Sequence, residues 1–146
     1  MATVEENKEV VRLFIEGINK GDLTNIENST TSDFIFHATD VGRDIDLELF
    51  KFVALGPSSL SETSYSIEDI VCEDNKVSIR AIRRGKHTGQ YGEFQNIAPT
   101  GKSISVSQFM IFRLVDGKIA EIWSLMDWVR LYQQIGVLPP TEEIGK

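Results

Sequence analysis

Residues 103–127, SISVSQFMIFRLVDGKIAEIWSLMD, have the pattern of two strands joined by a turn. From Ser103 to Leu114, apolar and polar side chains alternate, which is the period of a strand with one buried face. Asp116-Gly117 is a strong hairpin signal, because both residue types tolerate the positive φ of a tight turn. Strand texture then continues from Lys118 to Ser124. This stretch therefore predicts two antiparallel strands joined by a tight turn.

A second hairpin is predicted just upstream. One strand runs from Tyr65 to about Cys72, Asp74-Asn75 turns the chain, and Lys76 to Arg84 alternates apolar with polar side chains. The polar, glycine-rich stretch from Gly85 to Lys102 is too long for a tight turn. We therefore expect an ordered or functional loop between the two hairpins.

The N-terminal part of the chain has helical periodicity instead. Thr3 and Glu6 form a capping box, and Gly21 ends the first predicted helix. Asp22 is placed to cap a short second helix. The apolar residues of the first helix recur three or four positions apart: Val10, Val11, Phe14, Ile15 and Ile18.

A short strand and a third helix are predicted next. Phe34 to His37 is typical of a strand, Asp44 is placed to cap the helix, and Gly56-Pro57 ends it. The apolar positions of this helix, spaced for one buried face, are Ile45, Leu49, Phe52 and Val53.

A last helix, Trp128 to Ile135, is capped by Asp127 and ended by Gly136. Helices followed by antiparallel strands predict an α+β domain in which the helices pack on one face of a curved sheet. Such an arrangement leaves a pocket between the two layers, where small-ligand sites usually lie.

Length and charge narrow the function classes. The chain has 146 residues, 41% of them hydrophobic, and a formal net charge of −7. A chain of this length buries roughly 68–70% of its unfolded surface, so we expect one domain, residues 1–146, without disulfides or structural metal. The negative charge disfavours nucleic acid and anionic membranes as partners.

The compartment is predicted from cysteine usage and from the N-terminus. Cys72 is the single cysteine, so it cannot form an internal disulfide. Residues 1–6 have neither the basic nor the apolar region of a signal peptide, and no apolar run approaches the roughly 20 residues that cross a bilayer. We therefore expect a cytoplasmic protein.

The loop and the last strand resemble a known family. Gly85-Lys86-His87-Thr88-Gly89 and Ile97-Ala98-Pro99-Thr100-Gly101-Lys102 resemble the "G-x-H-T-G … I-P-P-T-G-K" stretch of the SnoaL-like polyketide cyclases, also called ester cyclases. Glu121-Ile122-Trp123 with Asp127 resembles the family's "E-x-W, three residues, D" ending. Tyr91-Gly92-Glu93 is an insertion in that pattern. The resemblance implies an NTF2-like cone: a curved antiparallel sheet wrapped around N-terminal helices, with an enclosed pocket.

The resemblance also implies a function. It points to a cofactor-free and metal-free enzyme that closes a ring by intramolecular aldol chemistry, or catalyses a related isomerase or lyase reaction, on a small hydrophobic or aromatic polyketide-like molecule. It further implies a homodimer formed through the outer face of the sheet. The alternative is a non-catalytic ligand-binding or dimerisation module, since one fold hosts many functions.

Asp127 is the candidate acid/base of that reaction, by resemblance. Its apolar neighbours favour a carboxylate that can both take and return a proton: Trp123, Leu125, Met126 and Trp128. The structural alternative is that Asp127 caps the helix that follows it, and one carboxylate can do both.

The two histidines lack carboxylates or cysteines at a spacing typical of metal ligands. His37 ends a predicted strand, where it either hydrogen-bonds a substrate oxygen or is a half-buried structural residue. His87 lies between two glycines, where it either lines the pocket mouth or orients the loop.

Three residues of the last two strands are further candidates for substrate binding. Glu121 and Trp123 share one strand face, and Trp123 either stacks on an aromatic substrate or packs in the core. Gln108 is a lone amide in an apolar stripe, so it needs a partner in the core or on a ligand. A short basic patch is expected to be a solvated strand face: Arg80, Arg83, Arg84 and Lys86.

Overall fold

The computed structural model describes residues 2–145, and for Glu93 the backbone alone. The chain begins with helices α1 (Val4–Lys20) and α2 (Leu23–Ser29), strands β1 (Thr30–Ala38) and β2 (Arg43–Asp46), and helix α3 (Leu47–Leu55). Four long strands follow, and then a short helix: β3 (Leu60–Glu73), β4 (Lys76–His87), β5 (Ser103–Val115), β6 (Lys118–Met126) and α4 (Trp128–Gln134). Single 3-10 turns lie at Gly92–Phe94 and Thr141–Glu143.

All six strands form one sheet, in the order β2-β1-β6-β5-β4-β3. Neighbouring strands are antiparallel except for β1 and β6, which run parallel. The sheet is curved and does not close, because β2 and β3 are its two edges. The predicted α+β class and the NTF2-like fold are therefore confirmed.

One face of the sheet, here called the inner face, packs against α1 and α3. Four aromatic rings meet there, with Phe50 lying 5.9 Å from Phe14, 5.2 Å from Phe34 and 5.1 Å from Phe36. The even-numbered residues of β5 point to the same side, and Phe112 contacts Phe14 at 6.0 Å between ring centroids. The opposite side of the sheet is called the outer face below.

A second apolar cluster covers the other end of the inner face. We call it the mouth cluster, and it consists of Leu60, Phe94, Ile104, Val106, Met126, Leu131 and Ile135, with Ile97, Trp128 and Tyr132 against it. It is closed by α4 and by the loop of residues 88–102. The predicted loop therefore covers the end of the cone where the pocket was expected.

Most of the predicted turns and caps are confirmed. Glu6 N–H donates to Thr3 Oγ1, and Thr3 N–H donates to the Glu6 carboxylate, which completes the capping box. Asp22 caps α2, and Asp116-Gly117 turns the chain with positive φ at both residues. Local sequence signals sufficed here because each of these bonds joins residues close together in the chain.

The predicted cap of the third helix is wrong. Asp46, not Asp44, accepts the N–H of Leu49 at 2.9 Å, and Asp44 belongs to β2. The two aspartates have the same capping chemistry, and the pairing of Ile45 with Phe36 across β1 decides between them. The buried face also differs, because Ile45 is buried from β2 and Phe50 from α3, while Leu49, Phe52 and Val53 are exposed.

Both strands of the upstream hairpin, β3 and β4, are longer than predicted. Leu60 pairs with His87, so β3 starts five residues before Tyr65 and β4 continues past Arg84. These extensions were not predicted because their side chains are mostly polar and do not alternate with apolar ones. Backbone hydrogen bonds between strands form without such alternation. Among residues 2–145, no helix is long and apolar enough to cross a membrane.

The corrected cap predicts a specific stability change. Asp46→Ala removes the acceptor for the Leu49 N–H, so we expect the free energy of unfolding to fall by about 1 kcal/mol. Asp46→Asn keeps a capping oxygen and should change it by a few tenths at most. Urea denaturation measures both, and equal losses in the two variants would rule out the cap as the cause.

Candidate functional site

The predicted site residues lie on both faces of the sheet. His37, Glu121 and Trp123 lie together on the outer face, whereas Gln108 and His87 lie on the inner side near the mouth cluster. Asp127 stands at the rim, after the last residue of β6. The structure therefore separates these candidates into two groups.

The outer group is a hydrogen-bonded charge cluster. His37 Nδ1 lies 2.8 Å from Asp44 Oδ1, and His37 Nε2 lies 2.7 Å from Glu121 Oε2. Glu121 Oε1 in turn accepts a hydrogen bond from Arg113 Nε at 2.7 Å. The Trp123 ring stacks on the imidazole at 5.1 Å between centroids. Because each ring nitrogen faces a carboxylate oxygen, this arrangement favours the doubly protonated imidazolium.

The contacts within this cluster shift the pKa values of His37 and Glu121 in opposite directions. Burial lowers the pKa of His37, but hydrogen bonds to Glu121 and Asp44 outweigh it, so the pKa lies above its ordinary value of 6.5. Hydrogen bonds from His37 and Arg113 hold the pKa of Glu121 below its ordinary value of 4.5, against the opposing effect of burial. The substrate-binding role of this group stays a prediction.

Gln108 lies on the inner face and is buried. Its Nε2 donates to Ser124 Oγ at 2.8 Å, across the β5–β6 pair. Its Oε1 is also buried but has no hydrogen-bond partner among the described residues. The amide is therefore satisfied on one side only, which leaves an acceptor for another group.

His87 is fully buried at the end of β4. Its Nδ1 accepts the backbone N–H of Thr100 at 3.3 Å and lies 3.1 Å from Thr100 Oγ1. An imidazole nitrogen that accepts an N–H carries no proton, so the neutral ring bears its proton on Nε2. That Nε2 is buried without a described partner. His87 thus orients the loop with one nitrogen and keeps a donor on the other.

Arg83 is a site residue that the sequence analysis missed. The predicted solvated strand face is wrong for Arg83, because its side chain lies on the inner side of the sheet. The guanidinium carbon lies 5.4 Å from the centroid of the Tyr65 ring, and Nη1 lies 3.7 Å from Met126 Sδ. Arg83 is an odd-numbered residue of β4, like the buried Val77, Ile79 and Ala81, so it lies on the same strand face. The sequence alone shows this alternation.

Four buried polar atoms around the mouth cluster have no hydrogen-bond partner among the described residues. We call them the unpaired set: Arg83 Nε, His87 Nε2, Gln108 Oε1 and Trp128 Nε1. The rings of His87 and Trp128 lie 5.5 and 5.8 Å from the Phe94 ring. On the neighbouring strands, Arg83 pairs with Val106, two residues from Gln108 on the same face. Three donors and one acceptor therefore border one aromatic cluster.

Phe94 fills the centre of that cluster, with Tyr132 completing the ring contacts at 6.2 Å. Two surface depressions of about 440 and 430 Å³ lie elsewhere and are open to solvent. The first lies against α1 and α2 and the second beside β4 and β5. The enclosed pocket expected at the mouth stays a prediction, and a ligand there would have to displace Phe94.

Asp127 caps α4, as the structural alternative predicts. Its Oδ1 accepts the N–H of Arg130 at 3.0 Å, and the residue is exposed. It stands between Met126 and Trp128, which both contact the mouth cluster. Its catalytic role stays a prediction. Within residues 2–145, no group of three or more His, Cys, Asp or Glu side chains is arranged to hold a metal ion.

The outer cluster predicts a pH-dependent stability. A raised pKa means that the folded state binds the His37 proton more tightly, so the stabilisation is complete below 6.5 and lost as pH rises through the folded pKa. His37→Asn removes it. We expect the unfolding free energies of the two proteins to differ more at about pH 5.5 than at about pH 9.

Chemical denaturation at both pH values tests this expectation. A difference that does not change with pH would contradict a charged His37 in the folded protein.

Comparisons with known proteins agree with this architecture. The sequence profile of the SnoaL-like polyketide cyclases matches residues 8–135. A comparison with curated protein sequences gives no match. Among solved structures, TsrD from Streptomyces laurentii is 23% identical with a TM-score of 0.79, and the match covers 94% of this chain and 100% of that one.

Two further structures carry functional descriptions of their own. AclR from Streptomyces galilaeus, described as a candidate hydroxylase, is 23% identical with a TM-score of 0.78 over 94% of this chain and 85% of that one. A candidate polyketide cyclase from Bacillus cereus is 27% identical with a TM-score of 0.73, over 91% and 82%. Since the profile match spans most of the sequence, the chain belongs to the SnoaL-like polyketide cyclase family.

Proposed function

We propose that this protein is a cofactor-free acid/base enzyme that acts on a small hydrophobic or aromatic, polyketide-like molecule at the mouth cluster. The observation that carries the proposal is the unpaired set. Buried polar atoms without partners are rare, because each costs roughly 1–3 kcal/mol. A bound ligand with oxygen atoms would supply the missing hydrogen bonds, and the surrounding aromatic rings would pack on its skeleton.

The chemistry that fits is an intramolecular aldol closure or a related isomerase or lyase step. The Asp127 carboxylate takes a proton from an acidic C–H group, and the carbanion attacks a carbonyl carbon within the same molecule. A C–C bond forms, the π pair of the carbonyl moves to its oxygen, and that oxygen takes the proton back from Asp127. No oxidant or reductant is consumed. Donors such as Trp128 Nε1–H would stabilise the charge that develops on oxygen.

The similar solved structures are described with different reactions. Some are described as cyclases and one as a hydroxylase, so the same fold is associated with more than one reaction. Acid/base chemistry on an acidic C–H group is the version that the residues of this chain suit, because Asp127 borders the mouth cluster.

A specific observation favours the alternative of a non-catalytic ligand-binding or dimerisation module. Asp127 is exposed and is used as a helix cap. Capping of α4 alone accounts for an aspartate at this position. Substitution of this residue therefore separates the two functions.

The expected result is loss of proton transfer in Asp127→Asn. Asn caps a helix about as well as Asp, so the fold should persist. Exchange of the acidic C–H protons of a naphthyl β-keto ester for deuterium, followed by NMR, measures proton abstraction directly. We expect the variant to lose about 100-fold or more of the enzyme-dependent rate.

Asp22→Asn is the matched control, because Asp22 caps α2 with the same geometry, accepting the Asn25 N–H at 3.0 Å. This variant should exchange at the wild-type rate. Equal rates in wild type and Asp127→Asn would remove the catalytic function of Asp127 and favour the binding module.

We also propose that two copies associate through the outer face. Four apolar side chains form neighbouring cross-strand pairs there, with Phe109 opposite Leu125 and Ile111 opposite Trp123. Phe109 and Leu125 are 52% and 56% exposed. A second copy related by a two-fold axis would bury this patch against itself, and two-fold dimers are the commonest oligomers.

Leu125→Glu should convert the proposed dimer to a monomer, because the new charges would meet across the two-fold axis without a partner. Light scattering coupled to size exclusion measures the mass. Leu13→Glu, at an exposed apolar position on α1, is the control and should leave the dimer intact. A monomeric wild type would contradict the proposed assembly.

A further inference from the structure

Arg83 is a cation on the inner side of the sheet, and no carboxylate with a described side chain pairs with it. Its Nε is buried, and the contacts of its guanidinium are a thioether and an aromatic ring. Arg80 and Arg113 differ, because they pair with Asp69 and Glu121 at 2.7 Å each.

The lack of a described ion pair affects the free energy of the Arg83 side chain. Arg83 is half-buried, and its buried Nε–H costs free energy unless a hydrogen bond replaces its hydration. Met126 Sδ is a weak acceptor, and the Tyr65 ring offers only a quadrupole. A carboxylate or another acidic oxygen would satisfy both the charge and the forked donors of Arg83.

The other members of the unpaired set point to the same chemistry. Trp128 Nε1 can only donate, and the neutral His87 keeps its proton on Nε2 because its Nδ1 is an acceptor. Gln108 Oε1 is the single acceptor of the set. Three donors against one acceptor match a ligand that presents more acceptor oxygens than hydroxyl groups.

We propose that the substrate of this site is an aromatic anion: a ring system that carries a carboxylate and a neighbouring hydroxyl group. The carboxylate pairs with Arg83, a donor of the unpaired set binds a remaining oxygen, and Gln108 Oε1 accepts a hydrogen bond from the hydroxyl group. The ring packs on Trp128 and Tyr132 in the place that Phe94 now fills. This inference rests on the proposed function, since it names the substrate class of the same site.

Calorimetric titration with 3-hydroxy-2-naphthoate and with its neutral methyl ester tests the inference. Both probes have the same rings and the same hydroxyl group, and the ester differs by the loss of the charge and by one added methyl group. We expect wild type to bind the anion about 10-fold or more tightly than the ester, given the strength of hydrogen bonds to charged groups.

Arg83→Gln should abolish this preference, with anion affinity lost by about 10- to 100-fold and ester affinity unchanged. Arg80→Gln is the matched control on the same strand, and its outer-face pair with Asp69 predicts wild-type preference. If Arg83→Gln fails to fold, Arg83→Lys keeps the charge without the fork and should retain part of the preference.

The outcomes distinguish the inference from the proposed function. Equal wild-type affinity for anion and ester leaves the site in place but overturns the anionic substrate. Unchanged preference in Arg83→Gln, or the same loss in Arg80→Gln, overturns the role of Arg83. Binding of neither probe by wild type overturns the ligand site itself, and with it the proposed function.

Discussion

The strict alternation of β5, whose even-numbered residues all point to the inner face, defines the two faces of the sheet. Pairing with β4 on one side and β6 on the other transmits this alternation across the sheet. A slip of one residue would expose Phe112 and bury Arg113. The register of β5 therefore determines which side chains lie on the inner face, both in the aromatic core and in the mouth cluster.

The same constraint produces the candidate site. Gln108 and Arg83 lie at inner positions of their strands, so the strand pairing places a polar amide and a cation in a layer that is mostly apolar. Such positions cost stability unless a partner satisfies them. In a site that binds a ligand, this cost is offset when the ligand supplies the missing hydrogen-bond partners. On the outer face, by contrast, the charged groups of His37, Glu121 and Arg113 pair with one another.

Much of the fold could be predicted because its signals are local. The Thr3 capping box and the Asp116-Gly117 turn each involve residues within a few positions of one another. The choice between Asp44 and Asp46 was not readable, since it depends on pairing between two strands. The contact of His37 with Glu121 joins residues 84 positions apart through parallel strands, and no spacing rule shows it. Arg83 is different, because its parity along β4 was visible but a run of basic neighbours suggested a solvated surface.

The proposed function requires a small molecule to bind on the inner side and to engage the unpaired set. The chain has two tryptophans, Trp123 on the outer face and Trp128 beside the mouth cluster. Nitrogen–proton NMR resolves their indole N–H signals and the Arg83 Nε–H signal during a titration with 3-hydroxy-2-naphthoate. We predict that the Trp128 and Arg83 signals move and saturate together while Trp123 stays in place. Movement of Trp123 with Trp128 and Arg83 unchanged would place the ligand on the outer face and contradict the proposed function.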